Sequence, residues 1–230
     1  VQTCALPISG VFYAGDKLAV SAGTLFNKSD GNPLSSGRKN YFNNQTYSGS
    51  LAYQLSQNLS VAYRYGYDFR DFNAQWYYST SRADSAFETV VRNRHHLQLV
   101  HGAGIHKTVL SASYMATDDK FVFNSRSTAK NNTSFSIARL THQIVFSDQL
   151  SALMGTEYNQ RAIKSNNRGN HNLWHGAVFL LVSYKPLSQL VINPSVRADY
   201  DEWNKFYLLP QASISYAASK QVNLRLAAGK

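Results

Sequence analysis

Apolar and polar residues alternate with a period of two along most of the chain. The clearest stretch covers residues 59–70, where one set of alternate positions is apolar or aromatic and the other is small or charged. The first set is Leu59, Val61, Tyr63, Tyr65, Tyr67 and Phe69, and the second is Ser60, Ala62, Arg64, Gly66, Asp68 and Arg70. Such alternation predicts a β-strand with two chemically different faces. Strands in soluble sheets usually run ~5–6 residues, so this length favours a tilted strand that crosses a membrane, which needs ~9–11 residues.

The same pattern predicts further strands on both sides of this one. We expect eleven in total, near 17–27, 41–55, 59–73, 88–101, 107–119, 132–146, 150–163, 172–185, 189–201, 205–218 and 221–229. Short connections are predicted at Ser56–Asn58, Gly102–His106, Ser147–Gln149, Pro186–Ser188 and Ser219–Lys220. They alternate with longer polar loops at Lys28–Asn40, Ala74–Phe87, Lys120–Asn131 and Lys164–His171, and with a brief one near Glu202–Asn204. Short turns on one rim and long loops on the other predict an all-β fold, an antiparallel transmembrane β-barrel in meander order. The alternative is a soluble sheet in which the aromatic residues pack across strands.

The two ends of the chain point to a piece of a larger barrel. Bacterial barrels have an even number of strands, and an open sheet edge cannot be satisfied in lipid. We therefore expect truncation at both ends. Val1–Ile8 reads as the translation of a common sequencing adapter, so we expect residues 1–9 to be an artefact and residues 10–230 to be barrel.

Composition removes several classes of protein. The 230 residues include 13% aromatic residues, too many for a disordered chain, and a single cysteine, which excludes a disulfide scaffold. The longest apolar run, near Ala177–Val182, is far short of the ~20 residues of a transmembrane helix. The net charge of +10 comes from scattered basic residues without a nucleic-acid motif. We therefore expect no nucleic-acid partner.

Four segments carry a resemblance to a known family. They read RDFNAQWYYST (70–80), AIKSNNRGNH (162–171), LVINPSVRADYDEW (190–203) and LLPQASISYAASKQVNLRLAAGK (208–230). Their order and spacing resemble the barrel of TonB-dependent outer-membrane receptors, closest to the vitamin B12 receptor-like branch. The resemblance implies a 22-stranded barrel with a plugged lumen, whose plug domain and TonB-contacting motif lie outside this sequence.

The resemblance also implies a function, which is uptake rather than catalysis. A receptor of this kind captures a scarce large ligand, cobalamin or a ferric siderophore, and imports it with energy supplied through TonB. Its expected surroundings are the outer-membrane lipid of a Gram-negative bacterium and a possible surface lipoprotein partner. No cofactor and no metal site are expected.

Two sets of residues are the candidates for function. Ligand-binding candidates in a long loop are Asp71, Asn73, Gln75, Trp76, Tyr77 and Tyr78, since exposed Trp and Tyr bury much area at low entropic cost. Lumen-facing candidates are Arg64, Asp68, Arg70, Arg94, Arg197 and Asp199. For the loop, the alternative is an aromatic anchor at the membrane interface.

Two further groups invite a metal-binding interpretation. Asp118–Asp119 is expected in an outer loop, where a solvated pair is favoured over a Ca²⁺ site, which needs six or more oxygens. His95 and His96 are adjacent on a strand and so face opposite sides, while His101 and His106 flank a turn.

Three classes of function stay in competition at this stage. The first is a TonB-dependent receptor. The second is a passive porin or another barrel without a plug. The third is an outer-membrane enzyme or a secretion usher, but no catalytic motif is found in the sequence.

Overall fold

A computed structural model of the protein describes residues 8–81, 83–123, 127–203 and 205–230. These residues form one antiparallel sheet. The strands are β1 (Ile8–Ala14), β2 (Leu18–Ser29), β3 (Phe42–Ser56), β4 (Leu59–Asn73), β5 (Phe87–Ala103), β6 (His106–Phe123), β7 (Ser127–Val145), β8 (Leu150–Ser165), β9 (Gly169–Leu187), β10 (Leu190–Asp201), β11 (Lys205–Ala217) and β12 (Asn223–Gly229). Each strand pairs with its neighbours in the sequence, in the order β1 to β12. The predicted all-β meander is therefore confirmed. In the described part of the chain β1 and β12 do not pair with each other, and no helix is long and apolar enough to cross a membrane.

Twelve strands are present where the sequence predicted eleven. The additional strand is β1, which pairs with β2 from Ile8↔Leu25 to Ala14↔Ala19. Its consecutive bulky residues Val11, Phe12 and Tyr13 hide the period-two signal, because both of its faces are apolar. Backbone pairing with β2 forms the strand without a buried face, since all seven residues are exposed. Residues 1–7 of the expected adapter segment lie outside the described residues, and its origin stays a prediction.

The register divides the sheet into two faces that persist across all strands. We call the face that carries Arg64, Asp68 and Arg94 the polar face, and the face that carries Tyr63, Leu110 and Leu140 the apolar face. Pairs such as Gly66↔Arg94, Arg94↔Met115, Arg139↔Glu157 and Ala177↔Asp199 connect the polar face from β4 to β10. All six predicted lumen residues lie on this one face.

Aromatic rings form a line across the apolar face, which we call the aromatic row. Its members are Tyr47, Tyr65, Tyr67, Tyr114, Tyr158, Trp174 and Tyr200. Rings on adjacent strands are in contact, with centroids 5.9 Å apart for Tyr47–Tyr67 and 5.3 Å apart for Trp174–Tyr200. The row is interrupted at β7, which has Ser136 opposite Tyr114 and Ala138 opposite Tyr158. His95 continues the line between Tyr65 and Tyr114, at 5.1 Å and 6.2 Å.

Two of the predicted long loops are wrong. β6 extends to Phe123 and β7 begins at Ser127, while β8 reaches Ser165 and β9 starts at Gly169. The segments expected as loops at Lys120–Asn131 and Lys164–His171 are therefore mostly strand, apart from residues 124–126, which are not described. Neighbouring positions there have the same polarity, apolar in the run Phe121–Phe123 and polar in Lys164–His171, so alternation gives no signal although the backbones still pair. Side chains add to the pairing, as where Asn131 Nδ2 donates to Asp119 Oδ2 at 3.1 Å.

The acidic pair is consequently in a strand rather than in a loop. Asp118 and Asp119 are consecutive residues of β6 and point to opposite faces, so they cannot chelate one ion together. The same holds for His95 and His96: His95 Nδ1 lies 2.7 Å from Tyr63 Oη and His96 Nδ1 lies 2.8 Å from Ser113 Oγ. Among the described residues, no three His, Cys, Asp or Glu side chains lie close enough to hold a metal ion.

Candidate functional site

Two connections at the long-loop rim remain long, residues 30–41 and residues 74–86, and they pack against each other. We call the second one the inner loop. It follows Asn73, the last residue of β4, whose side chain organises the turn: its Oδ1 accepts from the N–H of Gln75 at 2.7 Å and its Nδ2 donates to the carbonyl of Lys39 at 2.8 Å. Asparagine suits this position because its short side chain bonds the backbone two residues on.

A buried carboxylate closes the inner loop. Asp84 is 2% exposed, and it accepts from the N–H of Trp76 at 2.8 Å and from the N–H of Ala86 at 2.9 Å. These bonds hold Trp76 at a φ of 65°, a left-handed conformation that a bulky residue rarely adopts. The indole N–H of Trp76 donates to the carbonyl of Ser81 at 3.1 Å. The loop is thus a fixed structure and not a loose connection.

Gln75 joins the two loops. Ser36 Oγ donates to its Oε1 at 2.9 Å, and Arg38 Nη1 donates to the carbonyl of Ser85 at 3.3 Å. Gln75 is only 6% exposed. Of the predicted contact residues, Asn73 and Gln75 therefore support the loop from inside.

Tyr77 and Tyr78 fold over the polar face. The ring of Tyr77 lies 5.9 Å from Phe72, and that of Tyr78 lies 5.1 Å edge-on from Phe121. Tyr78 Oη donates to Glu88 Oε2 at 3.3 Å. Phe72, Glu88 and Phe121 are one register row of β4, β5 and β6 on the polar face. A lipid anchor would need the two tyrosines on the apolar face, so their contacts favour a binding surface.

The two tyrosines remain available for contact. Tyr77 is 67% exposed and Tyr78 is 70% exposed. Partial loss of solvent and, after it, the Glu88 carboxylate raise the pKa of Tyr78 above its ordinary value. The phenol therefore stays protonated at neutral pH and can donate a hydrogen bond.

Asp71 has a different position from the other candidates. It lies on the apolar face near the end of β4, where it accepts from Thr89 Oγ1 at 2.9 Å. It therefore faces away from Tyr77 and Tyr78. The ligand-contact role of all six loop residues stays a prediction, for which Tyr77 and Tyr78 have the most suitable placement.

The polar face carries an ion network over β7–β10. Arg197 Nε lies 2.9 Å from Asp199 Oδ2, and its Nη2 lies 3.2 Å from Glu157 Oε1. Glu157 also pairs with Arg139, and His175 Nε2 lies 2.6 Å from Asp199 Oδ1. A separate pair joins Arg94 Nη2 to Asp68 Oδ2 at 2.8 Å.

Sequence reasoning found Arg197 and Asp199 but missed Arg139, Glu157 and His175. Alternation places each of these three on a face of its own strand. It does not say which residues of neighbouring strands lie opposite, as Arg139 and Glu157 do. The register that brings them together comes from the folded sheet.

Two arginines of the polar face lie outside these ion pairs. Asp68, Glu157 and Asp199 are all engaged by arginines, whereas Arg64 and Arg70 form no ion pair with a described residue. Both lie on β4 on the same face as the inner-loop tyrosines. Arg70 lies two residues from Phe72 near the long-loop rim, whereas Arg64 lies eight residues from Phe72, closer to the short-turn rim. The polar face near the long-loop rim therefore combines one spare guanidinium group with exposed phenols, which can contact an anionic aromatic molecule.

Comparisons with known proteins agree with this architecture. The sequence model of one family, described as TonB dependent receptor-like, beta-barrel, matches residues 9–230. No curated protein matches the chain in sequence.

Solved structures share the fold at low sequence identity. The siderophore receptor PirA from Acinetobacter baumannii has a TM-score of 0.80 at 14% identity over 96% of this chain and 39% of its own. The siderophore receptor PirA from Pseudomonas aeruginosa has a TM-score of 0.74 at 13% sequence identity, over 96% of this chain and 38% of its own. The FrpB iron transporter from Neisseria meningitidis has a TM-score of 0.79 at 10% sequence identity, over 96% of this chain and 44% of its own. The chain spans about two-fifths of the length of these structures.

Proposed function

The chain belongs to the TonB dependent receptor-like β-barrel family, and we propose that it forms part of an outer-membrane receptor that captures a large anionic iron chelate and imports it. The apolar face contacts lipid and the polar face lines the lumen. A plug domain outside this sequence fills the lumen and receives energy from TonB. Capture occurs at the long-loop rim, which faces the outside of the cell.

The aromatic row supports the orientation. Tyr114 lies eight residues beyond His106, where β6 begins at the short-turn rim, and Tyr158 lies eight residues beyond Leu150, where β8 begins. At ~3.3 Å per residue and a tilt of ~40°, eight residues span about 20 Å along the membrane normal, close to the ~25 Å apolar band of outer-membrane barrels. The strands above the row then stand clear of the hydrocarbon.

The inner loop carries the proposal for capture. It presents Tyr77 and Tyr78 over the polar face, near the spare cation Arg70, which lies two residues along β4 from Phe72. A ferric siderophore fits this surface better than cobalamin, because many ferric siderophores are anionic and aromatic. Structures of the same fold include a siderophore receptor and an iron transporter, which agrees with this choice.

Replacing the two tyrosines tests the proposal. In the complete protein, we expect Tyr77→Ala with Tyr78→Ala to weaken binding of a ferric catecholate, the probe, by about tenfold or more, because two aromatic contacts are lost. The matched variant Tyr77→Phe with Tyr78→Phe keeps the rings and should retain most of the affinity. Titration by tryptophan fluorescence quenching measures both. Unchanged affinity in the alanine variant, with the barrel assembled, would refute capture by the inner loop.

A further inference from the structure

Two histidines stack against each other on the apolar face beside the short-turn rim. His106 is the first residue of β6, and His142 lies three residues before the end of β7. The register pairs His106 with Ile144 and Thr108 with His142, so the two imidazoles are diagonal neighbours on one face. Their ring centroids are 5.3 Å apart, and His106 Nδ1 lies 3.3 Å from His142 Nε2. Each ring therefore brings one nitrogen to the same place.

The separation of the two nitrogens suits a shared metal ion. Two nitrogens that bind one tetrahedral metal at ~2.0–2.1 Å are ~3.3–3.4 Å apart. A third residue orients the second ring, since Thr108 Oγ1 lies 2.8 Å from His142 Nδ1. Metal-binding imidazoles usually use their second nitrogen in this way, which fixes the ring and leaves the other nitrogen for the metal. His106 and His142 are thus arranged as two ligands of one ion.

A methionine lies next to the two histidines. Met154 of β8 pairs directly with His142 and lies on the same face. Side chains that are directly opposite on antiparallel strands have Cβ atoms ~4.5–5.5 Å apart, a distance that the flexible methionine side chain can span. Met154 is 44% exposed, so its side chain has room to move. The thioether completes a set of three ligands, which His, Cys, Asp and Glu side chains alone do not provide in the described part of the chain.

The surroundings of the three side chains determine which metal fits. Their other direct partners in the register are Ala103, Ile144, Thr108 and Leu180, none of which has a carboxylate. Hard cations such as Ca²⁺ and Mg²⁺ need several oxygen ligands. Zn²⁺ is bound by thiolate, imidazole and carboxylate groups, whereas a thioether is a soft ligand that selects Cu(I). Two imidazoles and a thioether in apolar surroundings therefore favour Cu(I).

We propose that His106, His142 and Met154 form a binding site for Cu(I) on the apolar face at the short-turn rim. The site lies on the opposite face from the inner loop and at the other rim, so it is separate from the capture of an iron chelate. Under the proposed function this rim faces the periplasm, which is then the source of the ion. The site itself goes beyond the proposed function, because its three ligands are adjacent whichever way the barrel is oriented.

Removal of single ligands tests the site, and the chain offers a matched control for each. The complete protein, in detergent and with Cys4→Ser in every sample, is titrated anaerobically with Cu(I) against the competitor bicinchoninate. We expect His142→Gln and Met154→Leu each to weaken Cu(I) binding by about tenfold or more, because losing a ligand costs at least as much as losing a residue that orients one. The controls are His101→Gln, on the same face one strand away, and Met115→Leu, on the polar face. Both should bind Cu(I) as the Cys4→Ser parent does.

A second metal and a spectrum separate the loss of a ligand from damage to the fold. Zn²⁺ binding should weaken in His142→Gln and stay unchanged in Met154→Leu, because Zn²⁺ does not depend on the thioether. The X-ray absorption spectrum of the Cu(I)-loaded protein should show a sulfur ligand that Met154→Leu removes and Met115→Leu keeps.

Three results would overturn the proposal. They are an unchanged Cu(I) affinity in His142→Gln or Met154→Leu, losses of the same size in the two controls, and equal loss of Cu(I) and Zn²⁺ binding in Met154→Leu. Ferric catecholate binding by the same samples measures the receptor function independently, so a failure of the copper site and a failure of the proposed function are distinguishable.

Discussion

Placing a charge on each face of β6 at the centre of the membrane tests the assignment of the two faces. Leu110 lies on the apolar face, four residues from Tyr114 in the aromatic row and four from His106 at the short-turn rim. Four residues correspond to about 10 Å along the membrane normal, so Leu110 is close to the midplane. Its side chain is 38% exposed, and on this account the exposed surface contacts lipid.

Leu110→Arg should therefore cost ~2–4 kcal/mol, the range for arginine on the lipid face at the midplane of a barrel. That cost lowers the equilibrium constant for folding by about 30- to 700-fold. Val109 is the matched control: it is the neighbouring aliphatic residue, lies on the polar face, and pairs with Val100 and Thr141. Val109→Arg places the same guanidinium toward the lumen and should cost about 1 kcal/mol, for lost aliphatic contact.

The assay is guanidinium-induced unfolding of the complete protein in phospholipid vesicles, followed by tryptophan fluorescence. The difference between the two variants is the informative quantity, because both exchange an aliphatic side chain for arginine. Equal destabilisation, or a larger loss for Val109→Arg, would refute the assignment of the faces.

Two other predictions concern local structure. Asp84→Ala removes the acceptor for the N–H groups of Trp76 and Ala86, a loss of roughly 1–3 kcal/mol, so limited proteolysis should cut residues 74–86 faster than in the control Asp16→Ala; equal rates would show that these two hydrogen bonds do not hold the inner loop. Gly155→Ala should lower the midpoint temperature of thermal unfolding, because a Cβ there would lie 2.4 Å from Phe179 Cζ. Adding Phe179→Leu should restore part of that loss. An unchanged midpoint in Gly155→Ala would show that the contact of β8 with β9 is looser than described.

The sequence predicts those parts of the fold in which the two faces of a strand differ in polarity. In β4, an apolar face and a polar face alternate strictly, and the strand appears at the predicted residues 59–73. In the upper parts of β6 to β9 neighbouring positions have the same polarity, as in the apolar run Phe121–Phe123 and the polar run Lys164–His171, so the alternation disappears and the sequence predicts loops there. β1 is apolar on both faces and gives no signal for the same reason.

The candidate site was predictable in composition but not in geometry. Trp76, Tyr77 and Tyr78 stand out as aromatic residues in a polar segment. Their direction depends on the positive φ of Trp76 and on the bonds of Asp84, which no local pattern reveals. The partners Arg139 and Glu157 likewise meet only through the register of β7 and β8.

Uptake of ⁵⁵Fe-labelled catecholate by cells that carry the complete protein tests the central claim most directly. Cells are compared with and without an uncoupler of the inner-membrane proton gradient, and with the unmodified protein or the Tyr77→Ala, Tyr78→Ala variant. An energised receptor predicts accumulation that stops with the uncoupler and falls in the variant, while surface binding to the unmodified protein persists. Accumulation that continues unchanged with the uncoupler would contradict it and indicate a passive pore.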